Sequence, residues 1–296
     1  MGYKIPEKFR PPAARAGPPD TALAVEWAGT AGFRLTYGNN ILLIDPFVSR
    51  PGLFRMLFLR LYTNEKLCAE LFPRADHIFV GHSHYDHLMD VPAVAQRTGA
   101  TVHGSASTAA VCRGAGLPGE QIHVVAPGDV AECGPVGVKF FQSLHGRAIL
   151  GRVPMPGEIT GEPKPPLRST QYRLGTVFGF LVEAGGFRVF HLSSAEVVDE
   201  EIEKVGSVDL LLLCLAGRKH TEDYLGRTAG RLKPRFLVPH HYDSFFRPID
   251  RDMRLVPGVG MEEFISGAAS ACPDARILMP AFFEKLAFDV KTGELL

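Results

Sequence analysis

The chain has 296 residues, with 32 basic and 32 acidic side chains, and 46% of its residues are hydrophobic. That is length for one large domain or two small ones around a sizeable core, and a net charge of zero argues against a general nucleic-acid binder, which would carry a basic excess. The start Met1-Gly2-Tyr3-Lys4-Ile5-Pro6 has no apolar signal core, and no run approaches the roughly 18 apolar residues a membrane span needs, so a cytoplasmic protein without a transmembrane segment is expected.

Residues Pro6 to Asp20 carry five prolines and mixed charge. They read as an irregular arm (1–21) ahead of one domain (22–296). The body opens with Ala22–Trp27, Gly32–Tyr37, a Gly38-Asn39-Asn40 turn and Ile41–Asp45. This is a meander of short strands with β-type composition. Further strands are expected at Thr101–His103, Ile122–Val125 and Gly137–Leu144, with helices at Asp90–Thr98 and Ser105–Gly114 between them. A second set follows at Val177–Glu183, Phe187–Leu192, Val208–Leu215, Arg235–Pro239 and Arg276–Leu278. Helical stretches at Val197–Val205, Thr221–Leu232 and Met261–Ala271 alternate with it. Two β-rich halves with helices outside fit an α/β fold of the αββα sandwich type.

Two segments read as insertions, near 50–72 and 146–173. Gly52–Tyr62 as a helix is apolar around most of its circumference, with Arg55 and Arg60 its only charges. It suits a helix packed over the sandwich edge, a greasy wall for an apolar substrate, or a membrane-surface contact. Gly146–Arg173 is a long Gly/Pro-rich loop, a type that is commonly functional. Its Arg147, Arg152, Lys164, Arg168 and Arg173 outnumber Glu158 and Glu162, which favours an anionic substrate. The five cysteines (Cys68, Cys112, Cys133, Cys214, Cys272) are scattered, without a Cys-x-x-Cys pair, and read as buried free thiols.

The densest chemical signal is Gly81-His82-Ser83-His84-Tyr85-Asp86-His87. It sets three imidazoles and a carboxylate, ligands suited to zinc, iron or manganese, directly after the strand-like run Ile78-Phe79-Val80. A strand therefore delivers the cluster to a loop at a sheet edge.

The His-x-His-x-Asp-His order resembles the signature of the metallo-β-lactamase superfamily. The superfamily also expects a His after a later strand, an Asp after a further one and a final His near the C-terminus. Here Val138–His145, Phe187–Ser194 and Phe236–Tyr242 occupy those places, so the resemblance runs from about Ala22 to Phe288. It implies a four-layer αββα sandwich of two mixed sheets flanked by helices. It also implies that His82, His84 and His145 hold one metal, with Asp86, His87 and His241 holding a second and His240 as the alternative to His241. Three neutral imidazoles leave an open position for water, whose pKa a metal lowers to roughly 7. Asp86 could also orient the nucleophile, or act as general base if the second metal is absent. Asp45 matches a position that fixes a ligand tautomer. His191 and His240 border the ligands, as second-shell groups or as core histidines, while His220, Arg218 and Lys219 could reach the substrate.

Ser194 stands where the superfamily carries the Asp that bridges both metals. A neutral hydroxyl supplies no charge there, and Glu196 could substitute only by a two-residue shift. Trp27-Ala28-Gly29, Ile44-Asp45-Pro46 and Pro239-His240-His241-Tyr242 resemble the branch of ascorbate-6-phosphate lactonases and N-acylphosphatidylethanolamine phospholipase D, with Thr30 in place of an expected His. The implied activity is a metal-dependent hydrolase using a metal-bound hydroxide on an ester, lactone or phosphodiester bond of an anionic, partly apolar small molecule. Zn2+, one or two per chain, is the expected cofactor, with Mn2+ or Fe2+ as alternatives. The rival readings are a non-catalytic metal- or ligand-binding protein and a membrane-surface lipid hydrolase. Homo-oligomerisation stays open.

Overall fold

The computed structural model describes residues 2–12, 21–148 and 150–296, so residues 13–20 of the proline-rich arm lie outside the described residues. In chain order the first half comprises β1 (Ala22–Gly29), β2 (Gly32–Tyr37), β3 (Asn40–Ile44), α1 (Leu53–Phe58), α2 (Glu65–Leu71), β4 (His77–Phe79), α3 (Tyr85–Leu88), α4 (Val91–Thr98), β5 (Thr101–Gly104), α5 (Ala106–Gly114) and β6 (Ile122–Val124). The second comprises β7 (Val130–Cys133), β8 (Val136–Leu144), β9 (Phe178–Ala184), β10 (Phe187–Leu192), β11 (Glu196–Val197), α6 (Asp199–Val205), β12 (Leu210–Cys214), β13 (Phe236–His240), α7 (Met261–Ala271), β14 (Arg276–Ile277) and β15 (Lys285–Asp289).

The strands form two mixed sheets. One runs β15-β1-β2-β3-β4-β5-β6 and the other β11-β8-β9-β10-β12-β13-β14, with β7 on β8. Side chains on a strand alternate between faces, and this divides the core. Leu42, Ile44 and Phe79 point between the sheets towards Phe140, Phe180 and Phe190. Their neighbours Leu43 and Ile78 point outward, under Val94 of α4 and Val111 of α5. On the second sheet α6 and α7 cover the outer face through Ile202, Val205 and Phe264. The result is the expected αββα sandwich.

Local chemistry sets the element ends. The Ser105 side chain accepts from Thr108 N and caps α5, and Asn64 does the same for α2 through Leu67 N. Gly99, at φ 76°, ends α4 in the left-handed conformation that glycine takes without penalty.

The structure corrects two expected helices. Gly52–Tyr62 is helical only over α1, six residues, none of them buried. The stretch from Thr221 is helical only from 224 to 232, and Gly226–Gly230 is a π-turn. Asp223, at φ 42°, interrupts its start. The Thr228 hydroxyl also bonds the Tyr224 carbonyl at 2.6 Å within the widened turn. Strands β7, β11 and β15 and helix α2 add to the expected set. β15 returns the C-terminus to pair antiparallel with β1, so the first sheet draws on both ends of the chain.

The site follows from strand direction. β3 and β4 are parallel in one sheet, as are β10, β12 and β13 in the other. Their C-terminal ends lie together at one edge, where open α/β sheets place ligands.

Candidate metal centre

The loop after β4 carries His82 and His84, and α3 carries Asp86 and His87. His145 follows β8 and His241 follows β13. The structure brings these six into two groups: His82 with His84 and His145, and Asp86 with His87 and His241. In each, one candidate ligand atom per residue lies within 4.8 Å of the others. The first three rings form a near-equilateral set with centroids 4.7–4.8 Å apart. His82 and His87, one from each group, are 3.8 Å apart.

Carbonyl and carboxylate oxygens only accept hydrogen bonds, so they fix which ring nitrogen carries the proton. His87 Nδ1 donates to Asp45 Oδ2 at 2.7 Å, His145 Nδ1 to the Gly146 carbonyl at 2.7 Å and His84 Nε2 to the Pro154 carbonyl at 3.1 Å. The opposite nitrogens, His87 Nε2, His145 Nε2 and His84 Nδ1, are left as bare lone pairs. Neither His82 nitrogen has a partner although the residue is buried, and His241 Nδ1 is likewise unpaired. Leaving such groups unpaired is costly. A cation shared within these groups would relieve it here, whereas the equally unpaired His240 nitrogens lie outside both groups. The donor set, imidazoles with one carboxylate, fits a divalent transition metal.

Electrostatics agree with that fit. Burial holds His82 well below the ordinary imidazole pKa and lowers His84 to about 4 and His145 to about 3, so all three are neutral at pH 7, as ligands must be. His87 moves the other way. Burial opposes its charge, but Asp45 and Asp86 outweigh burial and raise it. Burial alone would raise Asp86, yet His87 and His241 hold it an anion, below the ordinary carboxylate value. Asp86 Oδ2 lies 3.2 Å from His241 Nε2.

Backbone placement is demanding. Asp45 is fully buried at φ 43° and also accepts from Gly81 N at 2.7 Å. A Cβ on Gly81 would come 2.3 Å from Ser193 Cβ, so only glycine lets the ligand loop pass there. His241 sits at φ 56° and Thr30 at φ 53°. Such conformations persist where surroundings over-determine them. Here His241 N donates to the Thr30 carbonyl at 2.8 Å, which also accepts from Trp27 Nε1 at 3.0 Å. Thr30 N donates to Asp243 Oδ1 at 2.9 Å, and Asp243 Oδ2 pairs with Arg50 at 2.6 Å. Asp243 and Arg50 were not singled out from sequence. Asp243 lies two residues beyond His241, and nothing in the sequence around Arg50 marks it.

The remaining candidates separate cleanly. His240 and His191 lie in the core, stacked 4.8 Å apart at 8°, with His191 Nε2 on the Ala31 carbonyl. Ser194 is buried at the site, and its Oγ accepts from Gly146 N at 3.1 Å, beside His145. The Glu196 carboxylate is bound elsewhere, to Arg227 at 3.1 Å and to the Thr221 hydroxyl at 3.1 Å. Arg218 is buried and binds the Val259 and Gly260 carbonyls and Glu263, which also holds Lys219 at 2.7 Å. His220 is exposed on the wall of the cavity above the two groups.

That cavity measures about 560 Å³. Met56, Met155, Tyr172, Phe245, Phe246 and Val259 give it a predominantly apolar wall. The basic residues of the Gly146–Arg173 loop do not line it. Arg168 binds the Phe58 carbonyl and Arg173 the Pro156 carbonyl. The basic loop therefore does not present its charge to the cavity, whose basic lining is instead Arg218 and Lys219. All five cysteines are buried and free.

Metal-dependent hydrolases of the metallo-β-lactamase fold are built on this plan, and comparison with known proteins sets the chain among them. The family profile described as "Beta-lactamase superfamily domain" matches residues 40–242, a span that holds both ligand groups, and the chain belongs to that superfamily. A metal-dependent hydrolase of Anaeromyxobacter sp. (strain K) is 26% identical over 266 residues, covering 86% of this chain and 84% of the relative. One from Heliobacterium modesticaldum is 31% identical over 235 residues, covering 75% and 84%. Among solved structures, the metallo hydrolase Igni18 of Ignicoccus hospitalis superposes with a TM-score of 0.57 at 19% identity, over 90% of this chain and 99% of that one. The metallo-β-lactamase fold protein YhfI of Bacillus subtilis gives 0.58 at 14%, over 90% and 99%.

Proposed function

We propose that His82, His84 and His145 hold one metal and Asp86, His87 and His241 a second, with zinc as the metal. We further propose that the enzyme hydrolyses an ester, lactone or phosphodiester bond in a largely apolar small molecule. The observation that carries this reading is the convergence of His82, His84 and His145, one candidate ligand atom from each within 4.8 Å of the others, at the foot of an apolar cavity. When bound, the metal supplies Lewis acidity and lowers the pKa of water towards neutrality.

The chain's own residues do the rest. His145, His84 and His87 arrive with their tautomers already set by Gly146, Pro154 and Asp45. The carboxylate of Asp86, kept anionic by His87 and His241, can orient the attacking water, and accepts its proton only where the second metal is absent. His220, on the cavity wall, can return one to the leaving group. The apolar wall excludes bulk water, which strengthens every charge interaction inside.

A turnover panel tests this. Metal-loaded protein is given p-nitrophenyl esters of rising chain length, a matched lactone series and bis-p-nitrophenyl phosphate. Chelator-sensitive turnover with KM falling as the chain lengthens is expected. No turnover of any class, or preference for small polyanions, contradicts the proposal.

A further inference from the structure

The α1 segment leaves Leu53, Phe54, Leu57, Phe58, Leu59 and Tyr62 between 41% and 69% exposed. Contiguous large apolar side chains on a surface mark an interaction site, and α1 itself buries no residue. Within the segment Met56 and Leu61 turn inward: Leu61 is buried, and Met56 lines the cavity, where its carbonyl accepts from the Ser169 hydroxyl at 2.7 Å. We propose that the outer face of this segment docks peripherally on an anionic lipid surface.

Charge selects that occupant. No acidic residue occurs between Asp45 and Glu65. Arg55 and Arg60 flank the apolar side chains, and Arg168 joins them through its bridge to Arg60. Their guanidinium groups bind only backbone carbonyls, of Arg60, Pro166 and Phe58, and among the described residues no carboxylate neutralises them. A second copy of the chain fits this surface poorly. A two-fold contact is self-complementary, so it would set these cations against their own copies with no carboxylate in the patch to pair them. A bilayer with anionic headgroups meets both features, taking up aromatic and aliphatic side chains while guanidinium groups stay at headgroup level. Arg55 already stacks over the Tyr62 ring at 5.7 Å. No helix is long and apolar enough among the described residues to cross a membrane, so the contact is peripheral.

Docking is measured without turnover, so its failure is separate from failure of the hydrolytic reading. The full chain is floated with vesicles of phosphatidylcholine alone and with vesicles containing three parts in ten phosphatidylglycerol. Binding to the second only, weakened at 0.5 M salt by screening, is expected. The variant F54S/L57S/F58S should lose it, while hydrolysis of a soluble ester stays within twofold. Arg55→Gln and Arg60→Gln should each weaken it about fivefold. Three results overturn the proposal: no binding to the anionic vesicles, equal binding by all variants, or a wild-type dimer that F54S/L57S/F58S converts to monomer in light scattering.

Discussion

The substitution Asp45→Asn removes one charge and almost no volume, at a residue that touches no proposed ligand-binding atom. Asp45 sits at φ 43°, which asparagine adopts readily, so the backbone is unaffected. Its two oxygens each accept one bond, from His87 Nδ1 and from Gly81 N, both at 2.7 Å. An amide cannot accept both. With its NH2 towards His87, the imidazole must move its proton to Nε2, which closes the lone pair proposed to face the second metal. With its NH2 towards Gly81, two donors meet in the ligand loop. Losing such an outer partner typically costs about 10–100-fold in metal affinity, which is about 1.4–2.8 kcal/mol. Titration against a chromophoric competing chelator measures it directly. The second equivalent of metal should weaken by that factor while the first changes little. Unchanged affinity for the second equivalent would refute the tautomer argument.

Arg50→Met leaves the buried Asp243 carboxylate unpaired. Urea denaturation should show a loss of about 3–5 kcal/mol, and a change below about 1 kcal/mol would show that Asp243 finds another partner. Ser194→Asp should tighten the second metal by placing an anion between two dications. Glu196→Ala should leave metal stoichiometry unchanged, because Glu196 binds Arg227 and Thr221. Loss of metal in Glu196→Ala, with no gain in Ser194→Asp, would reverse that assignment. Lowering pH from 8 to 6 should release the second metal first. A proton competes where the metal-free imidazole has a raised pKa, as His87 does, and not where it is lowered to about 4 or 3, as for His84 and His145. Metal content measured after equilibration at each pH checks the order.

The sandwich was legible from strand alternation and four of the six candidate ligands from the local 81–87 cluster, while His145 and His241 were picked out by the order that the superfamily resemblance implies. Ile78-Phe79-Val80 points to a strand, and the parallel edge then gathers His145 and His241. What escaped depends on distant chain. β15 pairs with β1 across about 260 residues, and Lys285–Asp289 alone reads weakly as a strand. The Arg50–Asp243 pair joins two loops that the sequence cannot bring together. The basic loop after His145 misled because composition gives the number of charges but not their direction, and Arg168 and Arg173 turn to backbone carbonyls. Gly52–Tyr62 was correctly apolar, but its burial could not be read from its own residues.

Elemental analysis of the purified protein, paired with turnover and melting before and after chelation, tests the metal centre most directly. Between one and two equivalents of zinc, iron or manganese are expected. Chelation should lower both activity and the melting temperature, since a ligand that binds only the folded state stabilises it. His84→Ala and His145→Ala should each lose metal and most activity while keeping the fold. A metal-free protein with full turnover, indifferent to chelator and to added metal, would contradict the account.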